Sequence, residues 1–147
     1  MLNFDLTDEQ RLLEQTVREW GAKEVQPHIR DLDRAHKFDP KVFPQMAKLG
    51  LLGCSVPEQY GGAGMDYISL GIISEELEYV DTSLRVIMSV HAGLNCLTLL
   101  SWGTEDQKQR YLVPQAKGEQ IATYGLTEPA AGSDARGIQT VAVKKGD

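Results

Sequence analysis

At 147 residues, with 41% hydrophobic and 24% charged side chains, the chain can bury one core and is ordinary for a globular protein. A formal net charge of −6 leaves no basic footprint for nucleic acid or an anionic membrane surface. Cys54 and Cys96, without Cys-x-x-Cys spacing, read as reduced core residues in a cytosol-like compartment, and three scattered histidines give no reason to expect a metal site.

The opening residues 1–6 have no basic n-region and no apolar h-region, so they do not read as a secretory signal. Thr7 with Gln10 three residues on is a capping box, and Leu13, Val17 and Trp20 follow at helical spacing. A first helix is expected from Asp8 to the mid-twenties, with Pro27 ending or kinking it and a charged continuation or loop running to Lys37. Asp39-Pro40 reads as N-cap and first position of a second helix, whose apolar face includes Val42, Met46 and Leu49 and whose stop is Gly50. Residues 51–64 are glycine-rich, but Gly62-Ala63-Gly64 lacks the third glycine of a dinucleotide loop, so the stretch reads as structural.

Asp66 caps a third helix bearing Ile68, Ile72, Ile73 and Leu77. Its acids Glu75, Glu76 and Glu78 read as the solvated side rather than as an acid–base pair. Asp81-Thr82-Ser83 breaks the pattern and opens a fourth helix to about residue 101. Apolar residues lie almost all round it, as on a central buried helix, and Arg85, His91 and Asn95 argue against a membrane span. Arg85 and Ser89 share one face, four residues apart; Asp81, four residues before Arg85, offers it a local partner. Gly103 stops this helix, Thr104 and Gln107 form a second capping box, and a short helix carries Tyr111 and Leu112 to Pro114. From Ile121 the period changes: residues 121–126 and 140–144 are candidate strands, and Lys145-Gly146-Asp147 reads as a hairpin turn.

One stretch is too specific for a mere connection. Residues 124–137 read Tyr-Gly-Leu-Thr-Glu-Pro-Ala-Ala-Gly-Ser-Asp-Ala-Arg-Gly. A strand end, the Thr127 hydroxyl, a proline stop and a tight polar turn at Gly132-Ser133-Asp134 suit a polar ring system with a phosphate at its far end. A plain strand followed by a Pro/Gly turn is the alternative. The run over residues 125–137 resembles the first signature of the acyl-CoA dehydrogenase family. The opening around residues 4–10, the Pro-Glu-Gln-Tyr-Gly-Gly-Ala-Gly string at 57–64 and the Gly-Thr-Glu-Asp-Gln-Lys-Gln-Arg-Tyr-Leu string at 103–112 are similar to the same family.

The resemblance implies a mainly α chain: an all-α N-terminal domain over residues 1–118, then the first strands of a β-barrel-like middle domain over 119–147, cut at Asp147 before the family's remaining parts. It implies an FAD-dependent enzyme that desaturates an acyl-CoA at its α,β carbons, with the catalytic base expected beyond Asp147 and no catalytic residue within the chain. By position in the signature, Tyr124, Leu126 and Thr127 would contact the flavin ring, and Gly132 and Ser133 would lie near the pyrophosphate and the CoA thioester arm. Glu128 and Asp134 belong to the signature with no clearer job than capping and loop hydrogen bonds.

The run over residues 80–90 looks most like the glutaryl-CoA dehydrogenase branch, which would make Arg85 and Ser89 a clamp for a distal substrate carboxylate. An Asp81–Arg85 pair is the competing reading. The resemblance also implies an electron-transferring flavoprotein as acceptor, a homotetramer, and a bacterial cytoplasmic or mitochondrial matrix location. An acyl-CoA oxidase, a flavin monooxygenase on the same fold, and a non-catalytic helical module stay open.

Overall fold

The computed structural model describes residues 5–146 and is mainly helical. The first helix, α1 (Asp8–Trp20), starts where expected: the Thr7 hydroxyl accepts from the Gln10 N–H at 3.2 Å and the Gln10 side chain accepts from the Thr7 N–H at 3.1 Å. Pro27 does not end the helix. The turn Gly21–Val25 is widened, with the Gln26 N–H reaching back to the Gly21 carbonyl, and the chain continues as α2 (Gln26–Arg34). A proline ring collides with the carbonyl four residues back, and one extra residue in the turn relieves that.

The second expected helix begins later than Asp39-Pro40. Asp39 turns its carboxylate onto the Lys41 N–H at 3.0 Å, and α3 (Val42–Lys48) starts after that turn. Pro44 falls within its first turn, where a missing N–H costs no helical bond. Gly50, at φ 73°, ends α3 as expected, with Gly50 N–H on the Ala47 carbonyl and Leu51 N–H on the Met46 carbonyl.

Residues 51–65 are packed chain rather than a ligand loop. The Gly53 carbonyl accepts from Val56 and Ala63, the Cys54 carbonyl from Met65, and the Val56 carbonyl from Gly64. A Cβ on Gly62 would lie 2.0 Å from the Val56 carbonyl oxygen. Asp66 caps α4 (Tyr67–Val80) through the Ser69 N–H at 2.7 Å and also accepts from Gln10 Nε2 at 3.2 Å.

α1 and α4 run parallel, Gln10 against Asp66 at one end and Arg18 against Glu76 near the other. Glu76 therefore corrects the reading of three solvated acids: it is buried and takes Arg18 Nε at 2.9 Å and Nη2 at 2.6 Å, while Glu75 and Glu78 stay exposed. Helical spacing puts Glu76 on the apolar face, four residues after Ile72 and three after Ile73, and the partner that neutralises it lies on another helix.

The run Thr82–Trp102 is one continuous helix made of α5 (Thr82–Met88), a widened stretch Ser89–Cys96 and α6 (Leu97–Trp102). It is the one helix among the described residues long and apolar enough to cross a membrane by length and composition. Its packed side reads otherwise: Leu84, Met88 and Ala92 join Val17, Met46 and Ile73 in the main core. The expectation of burial all round fails, since Val86 and Leu94 are exposed and Trp102 is 85% exposed. One face of the helix packs in this chain and the other stays open.

The second capping box is present at Thr104, opening α7 (Glu105–Gln107). Another widened turn, Lys108–Leu112, precedes α8 (Val113–Ala116), so Pro114 is passed by the same device as Pro27. Leu112 and Ala116 close a smaller cluster with Val56, Tyr60 and Cys96. Both cysteines are free and buried.

The two expected strands do not form among the described residues. Residues 121–127 and 138–146 run without regular structure; the only bridge there is an isolated antiparallel pair, Glu128 with Ala131. A strand has no internal hydrogen bonds, so apolar alternation cannot make one without a partner edge. The start of a β-barrel-like domain expected over 119–147 is therefore not confirmed: the described residues there are mostly irregular chain as far as residue 146. The expected hairpin turn over Lys145-Gly146-Asp147 ends on Asp147, which lies outside the described residues.

Two glycines give opposite expectations. Gly71, on α4 with open space where a Cβ would stand, should gain about 0.5–1 kcal/mol on Gly71→Ala. Gly62→Ala should lose about 1–3 kcal/mol by overpacking. Urea unfolding of the two variants checks both signs.

Candidate functional site

The segment after α8 is held by the helix Thr82–Trp102. Gly118, at φ 72°, turns the chain back, and residues 121–123 come to lie against the widened stretch Ser89–Cys96. His91 is fully buried there. Its Nδ1 lies 3.0 Å from the Ala122 nitrogen and its Nε2 lies 3.0 Å from the Gln115 carbonyl oxygen. A backbone N–H only donates, so Nδ1 is the bare nitrogen and Nε2 carries the hydrogen it donates to Gln115. Both ring nitrogens are satisfied only in the neutral imidazole, and burial holds the ring below its ordinary pKa. Four residues on, Asn95 Nδ2 donates to the Thr123 carbonyl and to the Val90 carbonyl, each at 3.2 Å.

Beyond this anchor the chain opens outward. Tyr124 and Leu126 are 45% and 43% exposed, and Gly125 and Thr127 are exposed as well. Among the described residues no hydrogen bond involves residues 124–127. Two half-open apolar side chains, free backbone groups and a free hydroxyl form a donor set that fits the edge of a flat polar ring.

The expected Gly132-Ser133-Asp134 turn is displaced. The tight turn spans Glu128 to Ala131, with reciprocal N–H to carbonyl bonds of 3.0 and 3.1 Å across Pro129 and Ala130. Gly132 and Ser133 follow it, exposed, with open space around Gly132. Gly132 has no positive φ, so backbone strain does not explain it. Asp134 accepts from the Arg136 N–H at 3.1 Å and caps the short turn Ala135–Gly137.

Glu128 has a defined job. Its carboxylate accepts from the Gln139 N–H at 2.8 Å, from the Thr140 N–H at 2.9 Å and from the Thr140 hydroxyl. These bonds hold the carboxyl below the ordinary carboxylate range, the Gln139 N–H first, and they tie both ends of the 128–140 loop together.

Arg85 and Ser89 are brought together, Nη1 lying 3.5 Å from Oγ. Arg85's carboxylate partner is Glu78, with Nε at 2.6 Å, and not Asp81. Asp81 instead caps α5 on the Ser83 N–H at 2.8 Å. Glu78 also takes the Thr82 hydroxyl at 2.9 Å and titrates below the ordinary range, with Arg85 the main cause. No hydrogen bond or ion pair joins Arg85 or Ser89 to residues 124–133 among the described residues. The thiols are inert: burial raises both, and Cys96, further raised by Cys54, is pushed up to about 12.

Sequence reasoning missed His91, Asn95 and Glu78. The signal for the first two was their four-residue spacing on one face of an apolar helix, where polar side chains need partners.

Comparison with known proteins places these features in a family. The model of the acyl-CoA dehydrogenase N-terminal domain matches residues 7–119. The chain is 45% identical over 146 residues to the short-chain specific acyl-CoA dehydrogenase of Clostridium acetobutylicum, covering 99% of this chain and 38% of that protein. It is similar in structure, with TM-score 0.94 and 39% identity, to a chain in the structure described as the electron transferring flavoprotein of Acidaminococcus fermentans; 99% of this chain and 38% of that one are covered. Glutaryl-CoA dehydrogenase from Mycobacterium smegmatis gives TM-score 0.88 and 34% identity over 97% of this chain and 37% of that one. The chain thus spans well under half the length of the relatives it matches.

Protonation of His91 should weaken the fold. The unfolded imidazole, near 6.5, binds a proton more readily than the folded one. His91's contribution is therefore fully present above about pH 6.5 and lost as pH falls through the lower folded value. The shielded carboxylates such as Glu128 are lost only at lower pH, as it falls below their ordinary value of 4.5. Urea midpoints should drop from about pH 7.5 to about pH 5.5, and His91→Asn should remove that drop; equal drops in both proteins would refute the assignment.

Proposed function

The chain belongs to the acyl-CoA dehydrogenase family, and on that premise we propose that it is the front part of an FAD-dependent oxidoreductase that desaturates a short-chain acyl-CoA between its α and β carbons. The observation that carries this is the open segment 124–127, whose backbone groups and Thr127 hydroxyl have no partner within the described residues. FAD, when bound, supplies the acceptor for the hydride that leaves the β carbon. Tyr124 and Leu126 would cover the ring and exclude water, and the Thr127 hydroxyl would donate to it. Donors placed where negative charge grows act in the transition state, in the manner of an oxyanion hole. Gly132 and Ser133 offer exposed backbone and a hydroxyl to the anionic and thioester parts of the ligands. No residue of this chain is assigned as the base for the α proton. An electron transferring flavoprotein is the proposed acceptor, and the protein is proposed to work as a homotetramer in a bacterial cytoplasm or a mitochondrial matrix.

The short-chain reading draws on the relative at 45% identity. A second reading, a dicarboxylic monothioester such as glutaryl-CoA, is favoured by the meeting of Arg85 with Ser89 and by the likeness to glutaryl-CoA dehydrogenase. Glu78 would then hold the guanidinium in place, and the substrate carboxylate would bind its remaining donors.

The visible spectrum of the intact protein tests the main reading. Yellow protein that bleaches anaerobically with butyryl-CoA is expected. Rapid turnover of reduced flavin with oxygen alone would point to an oxidase or a monooxygenase, and colourless protein to a helical module without flavin.

Thr127→Ala should weaken FAD retention or slow flavin reduction, by on the order of 3 kcal/mol if the hydroxyl acts in the transition state. Unchanged FAD content with an unchanged reduction rate would count against it. For the second reading, Arg85→Gln should lower the ratio of kcat/KM for glutaryl-CoA over butyryl-CoA by about tenfold or more, the size of a charge-assisted hydrogen bond. An unchanged ratio excludes the clamp.

A further inference from the structure

We propose that His91 and Asn95 are positioning residues for the cofactor, a two-point clamp that fixes residues 121–123 and thereby sets where residues 124–127 meet the flavin ring. This rests on the reading of Tyr124, Leu126 and Thr127 as flavin contacts. Both side chains leave the widened stretch Ser89–Cys96. Asn95 also donates to the Val90 carbonyl, five residues back, so its amide caps the widened stretch while reaching out to the Thr123 carbonyl. His91 joins two segments at once, the Gln115 carbonyl in α8 and the Ala122 N–H beyond it.

The two tethers impose a backbone direction. In a pleated strand, the N–H of one residue and the carbonyl of the next face opposite edges. Here the Ala122 N–H and the Thr123 carbonyl both face the helix. The chain is turned out of the pleat at these two residues. That turn fixes the peptide plane that enters Tyr124. A fully buried imidazole with both nitrogens committed to backbone is a rigid support, because any sliding of the segment orphans a buried donor or acceptor.

The test uses the intact protein in its wild-type, His91→Phe and His91→Asn forms. Asparagine keeps an acceptor near the place of Nδ1; phenylalanine keeps only the bulk. Without ligand, the Ala122 amide should exchange about tenfold faster in His91→Phe, with the core amide of Ile73 unchanged. The FAD Kd should rise about tenfold, and kcat with butyryl-CoA should fall at unchanged KM. His91→Asn should restore most of both. Should His91→Phe fail to fold, Asn95→Leu, which cuts the Thr123 tether together with the bond to the Val90 carbonyl and leaves both His91 bonds in place, is expected to show the same pattern at Thr123 more weakly. Faster Ala122 exchange with FAD affinity and kcat unchanged overturns the positioning role alone. Wild-type protein that takes up no FAD overturns the flavin reading as well, and a shift confined to Tm in every variant reduces His91 to a stability residue.

Discussion

A buried polar group must find its partners, and His91 is where that demand shapes this molecule most. The imidazole sits at full burial on an apolar helix, a place that costs free energy unless both nitrogens are bonded. The partners it finds are backbone groups of two other segments, Gln115 in α8 and Ala122 beyond it. One side chain thus links the helical layer to the segment that carries the signature. Without that link, the chain from residue 121 onward has no ladder of its own to keep it in place.

The helical layer is built to stay continuous where its sequence invites breaks. Pro27 and Pro114 both lie in or beside helical runs, and a widened turn precedes each. A third widened stretch, Ser89–Cys96, faces the chain beyond α8 without any proline to require it. Widened turns mark functional positions more often than ordinary helix does. Here the widening turns His91 and Asn95 toward the same neighbouring segment while Met88 and Ala92 stay in the core. The same helix leaves Val86, Leu94 and Trp102 open, so apolar residues all round it do not mean burial all round among the described residues.

Much of the fold was legible in the residues because it depends on neighbours in sequence. The boxes at Thr7 and Thr104, the Asp66 cap and the Gly50 stop are settled within four or five residues by backbone groups that need partners. What sequence reading lost depends on residues far apart. Glu76 reads as solvated with Glu75 and Glu78, yet its spacing sets it among Ile72, Ile73 and Leu77, and only Arg18, 58 positions away, supplies the charge it needs there. Asp81 looks like Arg85's partner because it is one turn away, yet Asp81 is claimed by the Ser83 N–H and the guanidinium turns seven residues back to Glu78. The strands were read from alternation alone, and alternation does not say where the other edge is. For the site, the signature named residues but not what holds them: no local rule connects a histidine at 91 with an amide at 122.

The two acids of the signature loop are bound into its own geometry. A segment proposed to meet a pyrophosphate carries two acids, Glu128 and Asp134, close to Gly132 and Ser133. Neither carboxylate is left without a donor. Glu128 is surrounded by two backbone N–H groups and a hydroxyl, all from residues 139–140, and Asp134 is turned onto the Arg136 N–H. Both charges point at donors within the loop, and Pro129, with no N–H, sits at the turn where none is needed. The acids of the signature thus act as internal ties. They give a strandless loop a fixed shape, with the hydroxyl of Ser133 and the backbone at Gly132 exposed on it.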